Sequence, residues 1–166
     1  EDTFELAKQA IDRWGWYNRN AAINPYLSEG KKTVAYEIAE QLDWQMPDFI
    51  AISVGDGCTI AGVWKGLKDL YAIGFIDKLP RLISAQAEGC HPINRAIAEN
   101  KPWEPMEENT LADSIAVGVP RNADKALMAI RESNGLVVNV SDAEIMAAQK
   151  LLGRTCGVFG EPAGVT

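Results

Sequence analysis

The chain has 166 residues, of which 23 are acidic and 16 basic, and its formal net charge is −7. It is long enough for one domain with a substantial core, while the absence of a basic patch and of a bilayer-length apolar run argues against nucleic-acid and membrane partners. The three cysteines, Cys58, Cys90 and Cys156, are odd in number and far apart. This pattern predicts free thiols in a reducing compartment, and therefore a cytoplasmic protein without a zinc framework.

Apolar periodicity and turn residues predict alternating helices and strands along the chain. In chain order, the predicted elements are helix 2–14, an extended segment or strand 16–23, helix 30–42, strand 49–54, helix 60–73, strand 81–87, helix 93–99, a helical turn within 110–117, helix 123–133, strand 136–140, helix 141–152 and strand 157–159. This alternation predicts an α/β fold in which a parallel sheet carries helices on both faces.

The second predicted helix follows a proline. Asn24-Pro25 is expected to stop the extended segment before it, and Gly30 is expected to open the helix. The apolar stripe of this helix consists of Val34, Ile38 and Leu42, with Ala35 and Ala39 beside it.

A strand, a glycine loop and a helix follow one another between Phe49 and Tyr71. The mostly apolar segment 49–54 is typical of a strand covered on both faces. Gly55 and Gly57 let the backbone turn tightly and approach a ligand, and Thr59 is the predicted N-cap of the helix. Unpaired N–H groups and the positive end of the helix dipole at such a start favour a phosphate.

Asp56 weakens this interpretation, because a carboxylate beside a phosphate is repulsive. Its side chain is therefore expected to point away from the loop or to cap the helix. From the loop alone, phosphate binding and a role of the glycines in packing stand on equal terms, since the loop lacks both a P-loop lysine and the glycine spacing of a dinucleotide site.

Ligands of open parallel sheets lie outside the carboxyl ends of the strands. This rule places five segments along one edge of the predicted sheet. They are Asn24-Pro25, Gly55–Thr59, Glu88–His91, Ser141-Asp142 and Glu161–Gly164. Glu161 either faces a bound cofactor or caps the helix after it, and both alternatives remain open.

Other reactive side chains have plainer explanations. Lys31 and Lys32 are interpreted as solvated charges or contacts at a helix start, in preference to Schiff-base amines. Cys58 is interpreted as a small residue fitted to a tight loop, in preference to a thiol with a lowered pKa. His91 is expected to be exposed, and Asp142 to cap a helix. The residues themselves therefore predict a phosphate-binding α/β domain without a complete catalytic set.

Several of these motifs recur together in one group of enzymes. They are Asn24-Pro25 with Glu29–Ala39, Val54–Ile60, Trp64–Gly66, Leu79–Arg81, Gln86–Gly89, Thr110–Asp113, Val140–Asp142 and Glu161–Gly164. In order and spacing they resemble the pyridoxal-phosphate enzymes of the tryptophan synthase β type, and most closely the threonine synthase family. The last two motifs also occur in relatives such as threonine dehydratase, and the motifs beginning at Asn24 and Val54 are more specific.

The resemblance implies pyridoxal 5'-phosphate as the cofactor and O-phospho-L-homoserine as the substrate of the full enzyme, a homodimer that forms L-threonine and phosphate. The family's phosphate loop matches Gly55, Asp56, Gly57, Cys58 and Thr59, and Glu161 matches a glutamate near the cofactor ring. Residues 1–15 match the last helix of the smaller domain, and residues 16–166 an incomplete larger domain.

The family's Schiff-base lysine lies upstream of these motifs, and Lys31 and Lys32 do not take its place. Both ends of the chain look cut, so we expect a fragment that is inactive alone and contributes no catalytic residue. The alternatives are a related threonine or serine dehydratase and a non-catalytic module that binds a phosphorylated ligand.

Overall fold

A computed structural model describes residues 2–20 and 23–166. Glu1 lies outside the described residues, as do Ala21 and Ala22 in the predicted segment 16–23. The helices are α1 (Asp2–Trp14), α2 (Pro25–Gly30), α3 (Thr33–Gln41), α4 (Cys58–Ala72), α5 (Pro92–Glu99), α6 (Ala123–Glu132) and α7 (Asp142–Cys156). The strands are β1 (Phe49–Ser53), β2 (Arg81–Ala87) and β3 (Leu136–Val140), and two 3₁₀ turns span Asp113–Ile115 and Pro162–Gly164.

The three strands form one parallel sheet in the order β1-β2-β3. Its central strand places Leu82 opposite Ile50 and Ser84 opposite Val137. Helices α4, α5 and α6 pack on the face that carries these side chains, while α7 and the turn Pro162–Gly164 lie on the other face. The predicted α/β class with helices on both faces is therefore confirmed.

The two faces of the sheet are covered unequally. The first face lies over a core in which Leu82, Ile60 and Leu67 are fully buried. On the second face α7 covers the carboxyl ends of β2 and β3, and Phe49 and Val138 remain 43% and 44% exposed. The prediction that strand 49–54 is covered on both faces is thus wrong for the described residues.

Helix α2 begins at Pro25, where the extended segment was predicted to end. The Asn24 side chain accepts the backbone N–H of Tyr26 at 3.0 Å, and Pro25 occupies the first helical position. An asparagine N-cap followed by proline is a strong helix start, because this proline has no N–H to leave unsatisfied. The predicted helix 30–42 corresponds to α3, whereas α2 was not predicted, and Lys31 and Lys32 lie between the two helices.

Small residues let α3 approach α4 closely. A Cβ at Gly66 would lie only 2.9 Å from the Cβ of Ala35, so glycine is needed at this crossing. Ala35 and Ala39 are consequently buried, whereas Val34 and Leu42 are 40% and 44% exposed. Ile38 packs against the core as predicted, but Val34 and Leu42 do not, because contact with α4 selects small side chains on the neighbouring face of α3.

In the described part of the chain, the predicted strand 157–159 is absent, and for segment 16–23 the strand alternative is not formed. Residues 16–20 and Ile23 form no strand, and neither does segment 157–159. Gly157 has a φ of +69°, which ends α7 at Cys156, beyond the predicted end near Leu152. A strand needs a partner for its backbone, and Phe159 is instead 85% exposed.

A buried polar network ties the sheet to α5. The Gln86 side chain donates to the carbonyl of Val54 at 3.0 Å and accepts the backbone N–H of Asn94 at 2.9 Å. The Asn94 amide accepts the Ser84 hydroxyl at 2.6 Å and donates to the carbonyl of Val138 at 2.9 Å. The network holds all three strands together and fixes the end of β1, where the glycine loop begins.

Candidate functional site

A cavity of about 620 Å³ lies at the carboxyl end of β1. It brings together all the residues predicted for the cofactor site, which are Gly55, Asp56, Gly57, Cys58, Thr59 and Glu161. Residues from α3 and from both 3₁₀ turns complete its wall, including Val34, Ser114 and Gly164. The cavity is thus built from segments more than a hundred residues apart in sequence.

Gly57 shapes the loop and begins α4. Its φ of +86° is left-handed, and a Cβ there would lie 2.8 Å from the Cβ of Ala126 and 2.9 Å from the carbonyl oxygen of Asn122. Both backbone conformation and space therefore require glycine. The N-cap of α4 is Gly57, so the prediction of Thr59 as the N-cap is wrong. The turn at Gly57 places Thr59 inside the first helical turn.

Unpaired backbone donors surround the start of α4. The N–H groups of Gly57, Cys58, Thr59 and Ile60 have no hydrogen-bond partner among the residues that the structure describes. All four residues line the cavity, and no side chain caps this helix. Together with the positive end of the helix dipole, this donor set fits the phosphate of a small ligand.

Asp56 is engaged with the turn before α6. Its carboxylate accepts the backbone N–H of Arg121 at 2.6 Å, and its carbonyl accepts the N–H of Asn122 at 3.0 Å. The expectation that Asp56 points away from the loop or caps a helix is met by this contact across the fold. One oxygen of the carboxylate is thereby hydrogen-bonded, and the loop is braced against the start of α6.

Cys58 is a small buried residue and not an activated thiol. Burial raises the pKa of the Cys58 thiol, and the nearby charge of Asp56 raises this pKa further. Asn122 donates its side-chain N–H to the Cys58 sulfur at 2.9 Å. The prediction of a residue fitted to a tight loop is confirmed, and the alternative of a lowered pKa is wrong.

Glu161 precedes the 3₁₀ turn Pro162–Gly164. Its backbone carbonyl accepts the N–H of Gly164 at 3.0 Å, but its side chain makes no capping hydrogen bond. The residue lines the same cavity as the glycine loop. Of its two predicted roles, capping by the side chain is wrong, and a position in the cavity wall agrees with a role towards a ligand.

Other predicted edge residues have structural roles away from the cavity. The Asp142 carboxylate accepts the hydroxyl of Thr110 at 2.6 Å and the N–H of Leu111 at 3.1 Å, so it holds a loop and the predicted capping role is wrong. Ser141 forms the capping box with Glu144 instead.

Within residues 2–20 and 23–166, no cluster of His, Cys, Asp and Glu could hold a metal ion.

The adjacent lysines between α2 and α3 are used differently. The Lys32 ammonium lies 2.7 Å from Asp69 and 2.8 Å from Glu29, and these contacts raise its pKa. Lys32 and Lys65 together lower the pKa of the Glu29 carboxyl to about 2. Lys31, by contrast, lines the cavity. Sequence reasoning did not include Lys31 in the site, although the close spacing of Gly62 and Gly66 in α4 indicates a tight crossing at this point.

These features define an α/β protein with an anion-receptive cavity at the carboxyl ends of parallel strands. The sequence profile of the pyridoxal-phosphate dependent enzymes matches residues 1–166. The chain belongs to this family, and the family's cofactor is pyridoxal phosphate.

The chain is similar to proteins named threonine synthase. It is 47% identical over 165 residues to one from Methanosarcina acetivorans, covering 98% of this chain and 40% of that protein. It is 41% identical over 170 residues to one from Methanocaldococcus jannaschii, covering 100% of this chain and 41% of that protein. The chain therefore spans about 40% of the length of these curated relatives.

Solved structures share the fold. Maize serine racemase superposes with a TM-score of 0.79 at 24% identity, covering 97% of this chain and 46% of that one. Escherichia coli threonine synthase superposes with a TM-score of 0.66 at 16% identity, covering 87% of this chain and 34% of that one.

In the part of the chain that the structure describes, no helix is long and apolar enough to cross a membrane.

Proposed function

We propose that the protein carrying this chain is a threonine synthase, which converts O-phospho-L-homoserine and water to L-threonine and phosphate. The observation that carries the proposal is the 47% identity to the Methanosarcina acetivorans threonine synthase over 98% of this chain. That match covers nearly the whole chain and therefore nearly all of the cavity wall. Relatives known from structure alone, such as serine racemase, share the fold at lower identity.

Within this function, we assign the cofactor phosphate to the start of α4. The N–H groups of Gly57, Cys58 and Thr59 would hold it, while Gly55 and Asp56 shape and brace the loop. This assignment is supported by the four unpaired N–H groups and by the tight turn that only glycine allows.

Glu161 is the proposed neighbour of the cofactor ring, because it lines the cavity and its side chain makes no capping hydrogen bond. The bound cofactor supplies electron withdrawal from the substrate carbon atoms, and the protein supplies orientation and electrostatics. The work of this chain is therefore to bind the phosphate and to orient the ring, and we assign no catalytic residue to it.

The domain division and assembly are also proposals. We assign residues 1–15 to the last helix of a smaller domain and residues 16–166 to the larger, cofactor-binding domain. Helix α1 supports this division, because none of its residues is buried against the rest of the chain. The resemblance to threonine synthases further supports a homodimer and a cytoplasmic location.

The assay uses the protein expressed from its natural gene, supplied with pyridoxal phosphate. With O-phospho-L-homoserine we expect threonine and phosphate in equal amounts, and with L-threonine no release of ammonia. Ammonia from L-threonine without threonine formation would identify a dehydratase and contradict the proposal. Cofactor binding without turnover of either substrate would favour a non-catalytic binding module.

A further inference from the structure

One cavity residue has no role in the site as described above. The described lysines that form ion pairs are Lys32, Lys65, Lys68, Lys78 and Lys101. Lys31 has no carboxylate partner among the described residues, and it is the lysine that lines the cavity. A partly buried lysine that forms no ion pair and lies in a cavity wall is suited to an anionic ligand.

The backbone of Lys31 is held in place by its surroundings. Its N–H donates to the carbonyl of Ser28 at 3.2 Å, and the contacts of Lys32 clamp the next residue. On α4, Gly62 allows this segment to pack closely, because a Cβ at position 62 would overlap the Cβ of Lys31. The ammonium is therefore presented from a fixed base and not from a mobile surface loop.

Among the described residues, the wall of the cavity contains a single cationic side chain. The charged residues in its wall are Lys31, Asp56 and Glu161. One oxygen of the Asp56 carboxylate accepts the N–H of Arg121, and Lys31 is the cationic side chain in the wall with which a ligand anion can pair. The positive charge of Lys31 acts on Cys58, the first residue of α4. It lowers the pKa of the Cys58 thiol, whereas burial and Asp56 raise this pKa. Lys31 and the unpaired N–H groups of α4 thus act on the same space.

We propose that Lys31 binds a phosphate monoester dianion in this cavity and makes the site selective for phosphorylated ligands. The inference rests on the proposed function and adds a specificity residue to it. Two phosphates have the required chemistry, that of the cofactor and that of the substrate. A lysine contributes to either as a point charge beside the backbone donors.

The test compares Lys31→Gln, Lys31→Arg and Lys150→Gln in the protein expressed from its natural gene. Lys150 is an exposed residue of α7 outside the cavity, so its change to glutamine is a matched control for lost charge. Apoprotein is titrated with pyridoxal phosphate and with pyridoxal, which lacks the phosphate. Cofactor-loaded protein is titrated with inorganic phosphate by calorimetry.

Loss of a charge-assisted contact should weaken binding about 10-fold to 100-fold. If Lys31 binds the cofactor phosphate, Lys31→Gln weakens binding of pyridoxal phosphate by this factor and leaves pyridoxal unchanged. If it binds the substrate phosphate, cofactor affinity is retained and inorganic phosphate binds more weakly by this factor. In both cases Lys31→Arg retains most of the affinity.

Three results would overturn the proposal. They are changes below about twofold in every titration with Lys31→Gln, equal losses for pyridoxal and pyridoxal phosphate, and a full loss with Lys31→Arg. The titrations need no turnover, so they judge Lys31 even if the wild-type protein forms no threonine. Failure of the proposed function and failure of this inference are thereby distinguished.

Discussion

Replacement of Gly57 by alanine tests the tight turn at the centre of the site. An alanine at a φ of +86° costs about 1–2 kcal/mol, because its Cβ crowds the following carbonyl. The new Cβ would also lie 2.8 Å from the Cβ of Ala126 and 2.9 Å from the carbonyl of Asn122. Forcing a methyl group into a packed site costs a further 1–3 kcal/mol, roughly. The expected loss in the free energy of unfolding is therefore about 2–5 kcal/mol.

Gly74→Ala is the matched control for this change. Gly74 also has a left-handed φ, of +79°, but a Cβ there would meet nothing within 4 Å. It follows the far end of α4, away from the cavity. Gly74→Ala should therefore cost about 1–2 kcal/mol, so that the difference between the two variants reports the steric contribution alone.

Urea unfolding followed by circular dichroism and tryptophan fluorescence measures both variants in the protein expressed from its natural gene. Titration with pyridoxal phosphate then shows whether the loop is displaced, which is expected for Gly57→Ala and not for Gly74→Ala. Equal destabilisation of the two variants, within about 0.5 kcal/mol, would refute the argument from close approach.

Three further changes probe the fold around the site. Asn94→Ala should lower the free energy of unfolding by about 2–3 kcal/mol in urea, because Ser84 loses its buried partner; a loss below about 0.5 kcal/mol would contradict this. Ser141→Ala removes the capping box and should cost about 1 kcal/mol in the same assay, and an unchanged midpoint would show the box to be unimportant. Because the folded pKa of Glu29 is lowered to about 2 from 4.5, its stabilisation is present above pH 4.5 and is lost as the pH falls towards 2. Glu29→Gln should therefore have a lower free energy of unfolding than wild type at neutral pH. This difference should disappear when unfolding is measured near pH 2. A difference of the same size at pH 2 would exclude the contact with Lys32 as its source.

Local signals were sufficient where the chain itself carries the information. Strands 81–87 and 136–140 have the predicted bounds, because each is a short apolar, β-favouring run between turn residues. The capping box at Ser141 could also be predicted from the sequence, because its partner Glu144 is only three residues away. The residues of the glycine loop and Glu161 were also identified from sequence, and the structure brings them into one cavity.

Two predictions about α2 and α3 were wrong, for different reasons. Asn24-Pro25 was interpreted only as the end of the extended segment, although an asparagine N-cap followed by proline is also a local signal for a helix start, as it is in α2. The buried face of α3 could not be assigned from its own apolar residues, because Gly66 on another helix selects Ala35 over Val34.

The sequence by itself thus determined the α/β class, most of the elements and the residues of the candidate cofactor loop, because these depend on neighbours within a few positions along the chain. The tertiary structure alone decided which of two adjacent lysines is paired and which lines the cavity. Lys32 finds its partner Asp69 on α4, 37 residues further along the chain, and Lys31 is left facing the ligand space. Contacts between residues so distant in sequence are fixed only when the helices pack, and for this reason spacing along the chain could not reveal them.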